Sequence, residues 1–374
     1  MITESKEPSI NRTIMRTIFK FIALLLIMCI GQIGFSCTGI VIKTKNGVTI
    51  PARTMEFGFD IRSNLLVIPK GTTISFLSSV ADKTGYQTTA KYGFAGMNAV
   101  EKEIVVDGIN EAGLYLGSFY FSGFSSFEKL NDENQSRAVS SEEMGNYVLS
   151  QFATVEEVIE GLNKITVVGS FIEDIQGEAP FHYAISDASG RSIVVEYTKN
   201  GMRIYDNTVN VICNNPTYDW HLTNLRNYIN LAADNSEGLT INGQKYDPLA
   251  EGSGMLGLPG DYTSVSRFVR ATAFVNTALP CENEEEGIFR AFHILNAFDI
   301  PKGVVREPTP DQVFTDYTIW TSAADTKNLK YYYKTYLNQG IKELDLMEML
   351  SVSNGKVFMI KSETPRAYET VTKG

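Results

Sequence analysis

A thiol and a free amine can be brought onto one carbon atom in this chain. Residues 21–30 (Phe21-Ile22-Ala23-Leu24-Leu25-Leu26-Ile27-Met28-Cys29-Ile30) form an apolar run. A polar stretch with Arg12, Arg16 and Lys20 precedes it, and Gly34-Phe35-Ser36-Cys37 follows. The run falls short of the about 20 apolar residues that a membrane span needs. Gly34 and Ser36 are the small residues a removable secretory leader carries just before its cut. Cleavage after Ser36 makes Cys37 the first residue. A thiol has an ordinary pKa of about 8.5 and an α-amine one of about 7.7–8.0. The amine can therefore take the thiol proton at neutral pH and later hand it to a leaving nitrogen. A first-residue cysteine is thus a nucleophile with its own base, suited to amide hydrolysis. A second reading is the lipid-modified cysteine of a bacterial lipoprotein, in which acylation removes both groups. That pattern usually carries Leu three positions before the cysteine and a small residue two before, where this chain has Gly34 and Phe35. Met15 serves as a start for the leader as well as Met1 does.

The rest of the composition fits this chemistry. Only three histidines occur, His182, His221 and His293, and all three read as structural because the α-amine already fills the role of base. Cys29 leaves with the leader, so Cys37, Cys213 and Cys281 remain; an odd number leaves at least one unpaired. Cys213 and Cys281 read as buried small apolar residues. No CxxC, HExxH or phosphate-binding Gly-x4-Gly-Lys-Ser/Thr motif is present, so no metal and no cofactor is expected. The formal charge of −10 has no basic stripe to offset it and excludes a nucleic-acid partner. No membrane association is expected once the leader is gone. The chain is expected to be exported, to the periplasm or outside the cell.

The elements that must position Cys37 begin with it. Residues 38–44 and 48–54 are β-branched and apolar and flank Lys45-Asn46-Gly47, a hairpin signal. A third strand is expected at 64–69, and two more at 103–107 and 114–121 around a turn from Gly108 to Gly113. Ser140-Ser141-Glu142-Glu143 has capping-box spacing before a helix with Met144, Tyr147, Val148 and Phe152 on one face, and Thr154-Val155-Glu156-Glu157 repeats it. Strands are predicted at 181–186, 191–198, 202–206 and 209–213. Helices are predicted at 264–279 and 284–298, the second opened by the acidic run 282–286. Late strands fall near 314–322, 330–337 and 355–360. No linker or repeat interrupts residues 37–374, which read as a single domain after a leader at 1–36. The order of elements and the many hairpins predict an α+β fold with largely antiparallel sheets, covered on one face.

Four separated motifs, in order, resemble the choloylglycine hydrolase and penicillin V acylase family. They are Cys37-Thr38-Gly39, Arg53-Thr54-Met55-Glu56, Asn214-Asn215-Pro216-Thr217-Tyr218-Asp219-Trp220, and Gly257-Leu258-Pro259-Gly260-Asp261-Tyr262 with Ser266-Arg267-Phe268. The resemblance implies a four-layer αββα sandwich of the N-terminal-nucleophile hydrolase type, a homotetramer, no cofactor and a small-molecule amide substrate. It assigns Cys37 as nucleophile, Arg53 and Arg267 as the two active-site arginines, and Asn214 as a side-chain oxyanion donor. Glu56 stands where the family has an aspartate that bonds near the α-amine, and Asp60 lies close enough in sequence to share that role. Tyr120 falls where bile-salt hydrolases carry asparagine and penicillin V acylases carry tyrosine; its backbone N–H is the implied second oxyanion donor. An aromatic wall at Tyr120 ranks penicillin V-like amides first, conjugated bile salts second and N-acyl homoserine lactones third.

Overall fold

The computed structural model describes residues 36–77, 83–173, 177–309 and 313–365. The leader expected at 1–36 lies outside them except for Ser36. In chain order the strands of the two main sheets are β1 (Cys37–Lys43), β2 (Thr49–Phe57), β3 (Asn64–Ile68), β4 (Phe94–Asn98), β5 (Val105–Asn110), β6 (Tyr115–Tyr120), β7 (Phe181–Ser186), β8 (Ser192–Thr198), β9 (Gly201–Asp206), β10 (Val211–Ile212), β11 (Val305–Pro308), β12 (Val313–Asp325), β13 (Lys330–Thr335), β14 (Lys342–Asp345) and β15 (Phe358–Lys361). The helices are α1 (Met144–Gln151), α2 (Val155–Leu162), α3 (Tyr218–Asn224), α4 (Ser264–Thr277), α5 (Glu284–Asn296) and α6 (Leu346–Val352).

The first sheet runs β10-β1-β2-β12-β13-β14, with β11 paired to β12; the second runs β9-β8-β7-β6-β5-β4-β3-β15. Every pairing within both sheets is antiparallel. Helices α4 and α5 cover the first sheet, and α1 covers β5 and β6 of the second. This is the expected αββα order. Helices cover one face of each sheet, as expected, and the other face packs on the opposing sheet, so both faces are buried. Along β3, Leu65 and Val67 enter the core between the sheets while Leu66 and Ile68 enter the core under α1 and α2. Two apolar faces give a continuous hydrophobic run instead of polar alternation.

Local expectations hold where the turn chemistry is strong. The Asn46-Gly47 hairpin joins β1 to β2, with Thr44 and Val48 closing it. Two expectations shift. Gly108, Ile109 and Asn110 belong to strand β5 and not to a turn; a Cβ on Gly96 of the neighbouring strand would lie 2.0 Å from the Asp107 carbonyl oxygen, so the glycines serve close strand approach. The segment at 140–143 is not a capping box. A 3₁₀ turn, Ser141–Glu143, precedes α1 without a side-chain cap, and the Ser140 hydroxyl instead donates to the Glu143 carboxylate at 2.6 Å.

Candidate active site

Cys37 opens β1, is buried, and sits opposite Met55 in the β1–β2 ladder. Its Sγ accepts a hydrogen bond from Arg53 Nη2 at 2.9 Å. Arg53 lies two residues before Met55, so strand alternation brings both side chains to the face that carries the thiol; Met55 Sδ is 3.9 Å from the thiol. Phe119 packs 4.2 Å from the guanidinium carbon and Trp320 5.4 Å, and the Ser118 carbonyl accepts from Nη1. Gly39 makes this stack possible. A Cβ there would lie 2.5 Å from the Phe119 ring.

Burial raises the Cys37 thiol pKa; Arg53 opposes that and Glu56 adds to it. In this structure Ser36 precedes Cys37, so the Cys37 nitrogen is a peptide N–H, at the place an α-amine would take in a chain beginning at Cys37. It donates to Asn214 Oδ1 at 2.7 Å. Arg267 Nη2 donates to the same oxygen at 2.7 Å, while its Nη1 holds the Cys37 carbonyl at 2.5 Å and the Thr38 hydroxyl at 2.8 Å. Two donors on Oδ1 fix the amide so that Nδ2 points the other way, donating to the Tyr120 carbonyl at 2.8 Å. An amide nitrogen carries two N–H groups, so the second can meet an oxyanion. His221 Nε2 contacts the Asn214 carbonyl at 3.0 Å, and burial lowers its pKa to about 4, keeping the ring neutral. His182 is likewise a packing residue, stacked on Phe121 and bonded to the Cys213 carbonyl.

Glu56 is brought inward by a register shift between Met55 and Glu56 in the β2–β12 ladder. Such a bulge re-aims a side chain, and here Met55, Glu56 and Phe57 all line one cleft. Thr318 donates to Glu56 Oε1 at 3.0 Å, and Oε2 is buried with no hydrogen-bond partner. Burial pushes the Glu56 pKa up to about 7 against the pull of Arg267, the Thr54 and Thr318 hydroxyls and Arg53. The Glu56 backbone N–H donates to the Ser36 carbonyl at 3.1 Å, beside the Ser36–Cys37 peptide bond. Asp60 does not share this role; it is exposed and accepts from the Arg62 backbone at 2.8 Å.

Tyr120 stands in the opposite wall, edge-on to Phe57 and Phe181 at 6.4 and 6.2 Å between ring centroids. The cleft between these walls is lined by Cys37, Met55, Glu56 and Phe57 on one side and by Tyr120 and Phe181 on the other. Two residues of the site went unread in the sequence. Asp107 of β5, fully buried, accepts from Tyr115, from Ser322 at 2.7 Å and from Tyr331, and acts as a counter-charge to Arg53. Glu142 lines the cleft from the turn before α1. Only Asp107 had a sequence signal, an acidic residue directly after the apolar run Ile104-Val105-Val106. Cys213 and Cys281 are buried free thiols. Among the described residues no cluster of three or more His, Cys, Asp or Glu side chains could hold a metal.

A thiol on the first strand of one of two facing antiparallel sheets, held beside an arginine and an asparagine amide, is the arrangement of an N-terminal-nucleophile amide hydrolase. The chain belongs to the choloylglycine hydrolase family of linear amide C–N hydrolases, whose sequence pattern it matches over residues 37–357. A bile salt hydrolase/transferase from Clostridium perfringens is 31% identical over 312 residues, covering 83% of this chain and 92% of that protein. The crystal structure of a conjugated bile acid hydrolase from Clostridium perfringens superposes with a TM-score of 0.79 at 29% identity, over 90% of this chain and 100% of that one. Penicillin V acylase from Agrobacterium tumefaciens gives 0.69 at 26%, over 88% and 93%. The enzyme is therefore a linear amide C–N hydrolase with the N-terminal-nucleophile fold.

Proposed function

We propose that this protein is exported, loses its leader after Ser36, and uses Cys37 as an N-terminal nucleophile to release an acyl group from a penicillin V-like amide. The observation that carries the reading is the Cys37 Sγ–Arg53 contact at 2.9 Å, in a cleft walled by Tyr120, with the Cys37 nitrogen held by Asn214. Removal of Ser36 exposes the α-amine, and the unpartnered Glu56 Oε2 is the natural counter-charge for its protonated form. The amine takes the thiol proton, and the thiolate attacks the amide carbon. The carbonyl electrons move to oxygen, where an Asn214 N–H and the Tyr120 backbone N–H are the stabilising donors. Collapse expels the amine with the proton from the α-ammonium and leaves a thioester. Water, deprotonated by the α-amine, then attacks the thioester carbon; collapse releases the acid, and the departing thiolate recovers the proton.

A second reading, hydrolysis of conjugated bile salts, is favoured by the likeness to the Clostridium perfringens hydrolase, at 29% identity on superposition against 26% for the acylase. The chain beginning at Cys37 should be tested with penicillin V, glycocholate and a long-chain N-acyl homoserine lactone, measuring the amine released. Faster release from glycocholate reverses the order; no release from any of them sinks the hydrolytic reading. Mass spectrometry of protein from the native host should find a bare Cys37, and a diacylglyceryl adduct would establish the lipoprotein reading instead. Assembly as an oligomer, proposed as a tetramer, is supported by an arm between α3 and α4 that exposes Ile229, Leu239, Ile241, Tyr246, Leu249 and Leu256. Light scattering that reports a monomer at micromolar concentration would refute it.

A further inference from the structure

Adjacent glutamates in the turn before α1 have different surroundings. The Glu143 carboxylate ties the fold together, taking the Ser140 hydroxyl at 2.6 Å and the Leu77 backbone N–H at 2.8 Å. Glu142 is as deeply buried, 2% exposed, yet it lines the cleft that holds Cys37. Most of the other side chains lining the cleft are apolar, Ile172, Ala179 and Phe181 among them. Apart from Glu56, which sits beside the nucleophile, it is the only charged side chain lining that cleft among the described residues. The Ser170 hydroxyl donates to Glu142 Oε1. Ser141 Oγ lies 3.5 Å from Oε2, with the Ala179 carbonyl 2.8 Å away as its better acceptor.

A carboxylate in an apolar wall carries a large desolvation cost unless hydrogen bonds offset it. Packing alone would be served by Met or Leu of similar size. A carboxylate offers about four acceptor positions, so the group that holds the serine can also receive a donor from a bound molecule. Its charge would repel an anionic tail and favour a hydroxyl placed in otherwise apolar surroundings. We infer that Glu142 is a specificity-determining residue that selects acyl groups bearing a hydroxyl where they meet the turn before α1. This rests on the proposal that the cleft receives the acyl portion of the amide, and it holds for either a phenoxyacetyl or a steroid acyl group.

The test is binding of the free acids, which does not require turnover. Two matched pairs serve as probes: 4-hydroxyphenoxyacetate against phenoxyacetate, and cholate against deoxycholate. Each is titrated calorimetrically into the chain beginning at Cys37, as wild type, Glu142→Gln and Glu142→Leu. A hydrogen bond to a charged acceptor predicts that wild type prefers the hydroxylated member of at least one pair by about 10- to 100-fold in Kd. Glu142→Leu should bring that ratio close to 1 by tightening the plain acid and weakening the hydroxylated one. Glu142→Gln, which keeps an acceptor and the shape, should fall between. Equal ratios in wild type and Glu142→Leu for both pairs, or no wild-type preference in either, would overturn the inference. A wild-type preference that Glu142→Leu removes, in a protein that cleaves no amide, would support it while defeating the hydrolytic reading.

Discussion

The two walls of the cleft are built on different terms. Behind the first-sheet wall of Cys37, Met55, Glu56 and Phe57 stands a polar, over-determined frame. Asn214 Oδ1 takes two donors, Arg267 makes four hydrogen bonds, and Arg53 is clamped between two aromatic rings while touching the thiol. The wall from the second sheet and the turn before α1 is mostly apolar and touches by packing, through Val106, Tyr120 and Phe181. A bond-making wall must hold atoms to tenths of an ångström, whereas an acyl-sorting wall needs only shape and one or two polar marks. Substitutions on the first should change rate for every substrate, and those on the second should change the order of substrates.

The sharpest test is Cys37→Ala, which should lower kcat by about 10⁴-fold or more on every substrate; retained turnover would place the nucleophile elsewhere. Asn214→Ala comes next, with a fall of roughly 100- to 1000-fold in kcat from loss of an oxyanion donor. A change confined to KM in stopped assays would remove Asn214 from that role. The third test concerns the buried carboxyl of the first wall. In the chain that keeps Ser36, the Glu56 pKa is up at about 7 from an ordinary 4.5. The folded state then binds the proton more tightly than the unfolded one. Stability is fully present below about pH 4.5, falls as pH rises toward 7, and is flat above, with a total loss of about 3 kcal/mol. Urea unfolding of this chain at pH 5 and pH 8 should show most of that loss, and Glu56→Gln should remove most of Glu56's share; identical pH slopes in the two proteins would count against the assignment. The smallest effect lies on the second wall. Tyr120→Asn keeps the backbone donor, so it should shift the ratio of penicillin V to glycocholate turnover by about 10-fold, the scale of one changed pocket contact, with little change in their sum. A uniform loss on both substrates would break the division between walls.

The same division explains what the sequence disclosed. The β1–β2 hairpin was legible because Asn46-Gly47 fixes its turn locally, and Cys37, Arg53, Asn214 and Arg267 because they lie in contiguous motifs. Glu56 was legible as a residue but not as a geometry, since the bulge that aims it is a property of how β2 meets β12. Asp107 and Glu142 escaped because their meaning depends on partners far along the chain. Asp107 is completed by Ser322 and Tyr331, 215 and 224 residues away. Gly108 misled for a related reason, its small size answering to a neighbouring strand and not to a turn.

The hydrogen bond from the Glu56 backbone to the Ser36 carbonyl has a practical reach. Any acyl cap on Cys37, whether an uncleaved initiator methionine, a formyl group or a purification-tag remnant, presents a carbonyl to the same seat and turns the amine into an amide. Recombinant protein made with such a cap would lack the base and be inert, and a null assay on it would report the production route and not the enzyme.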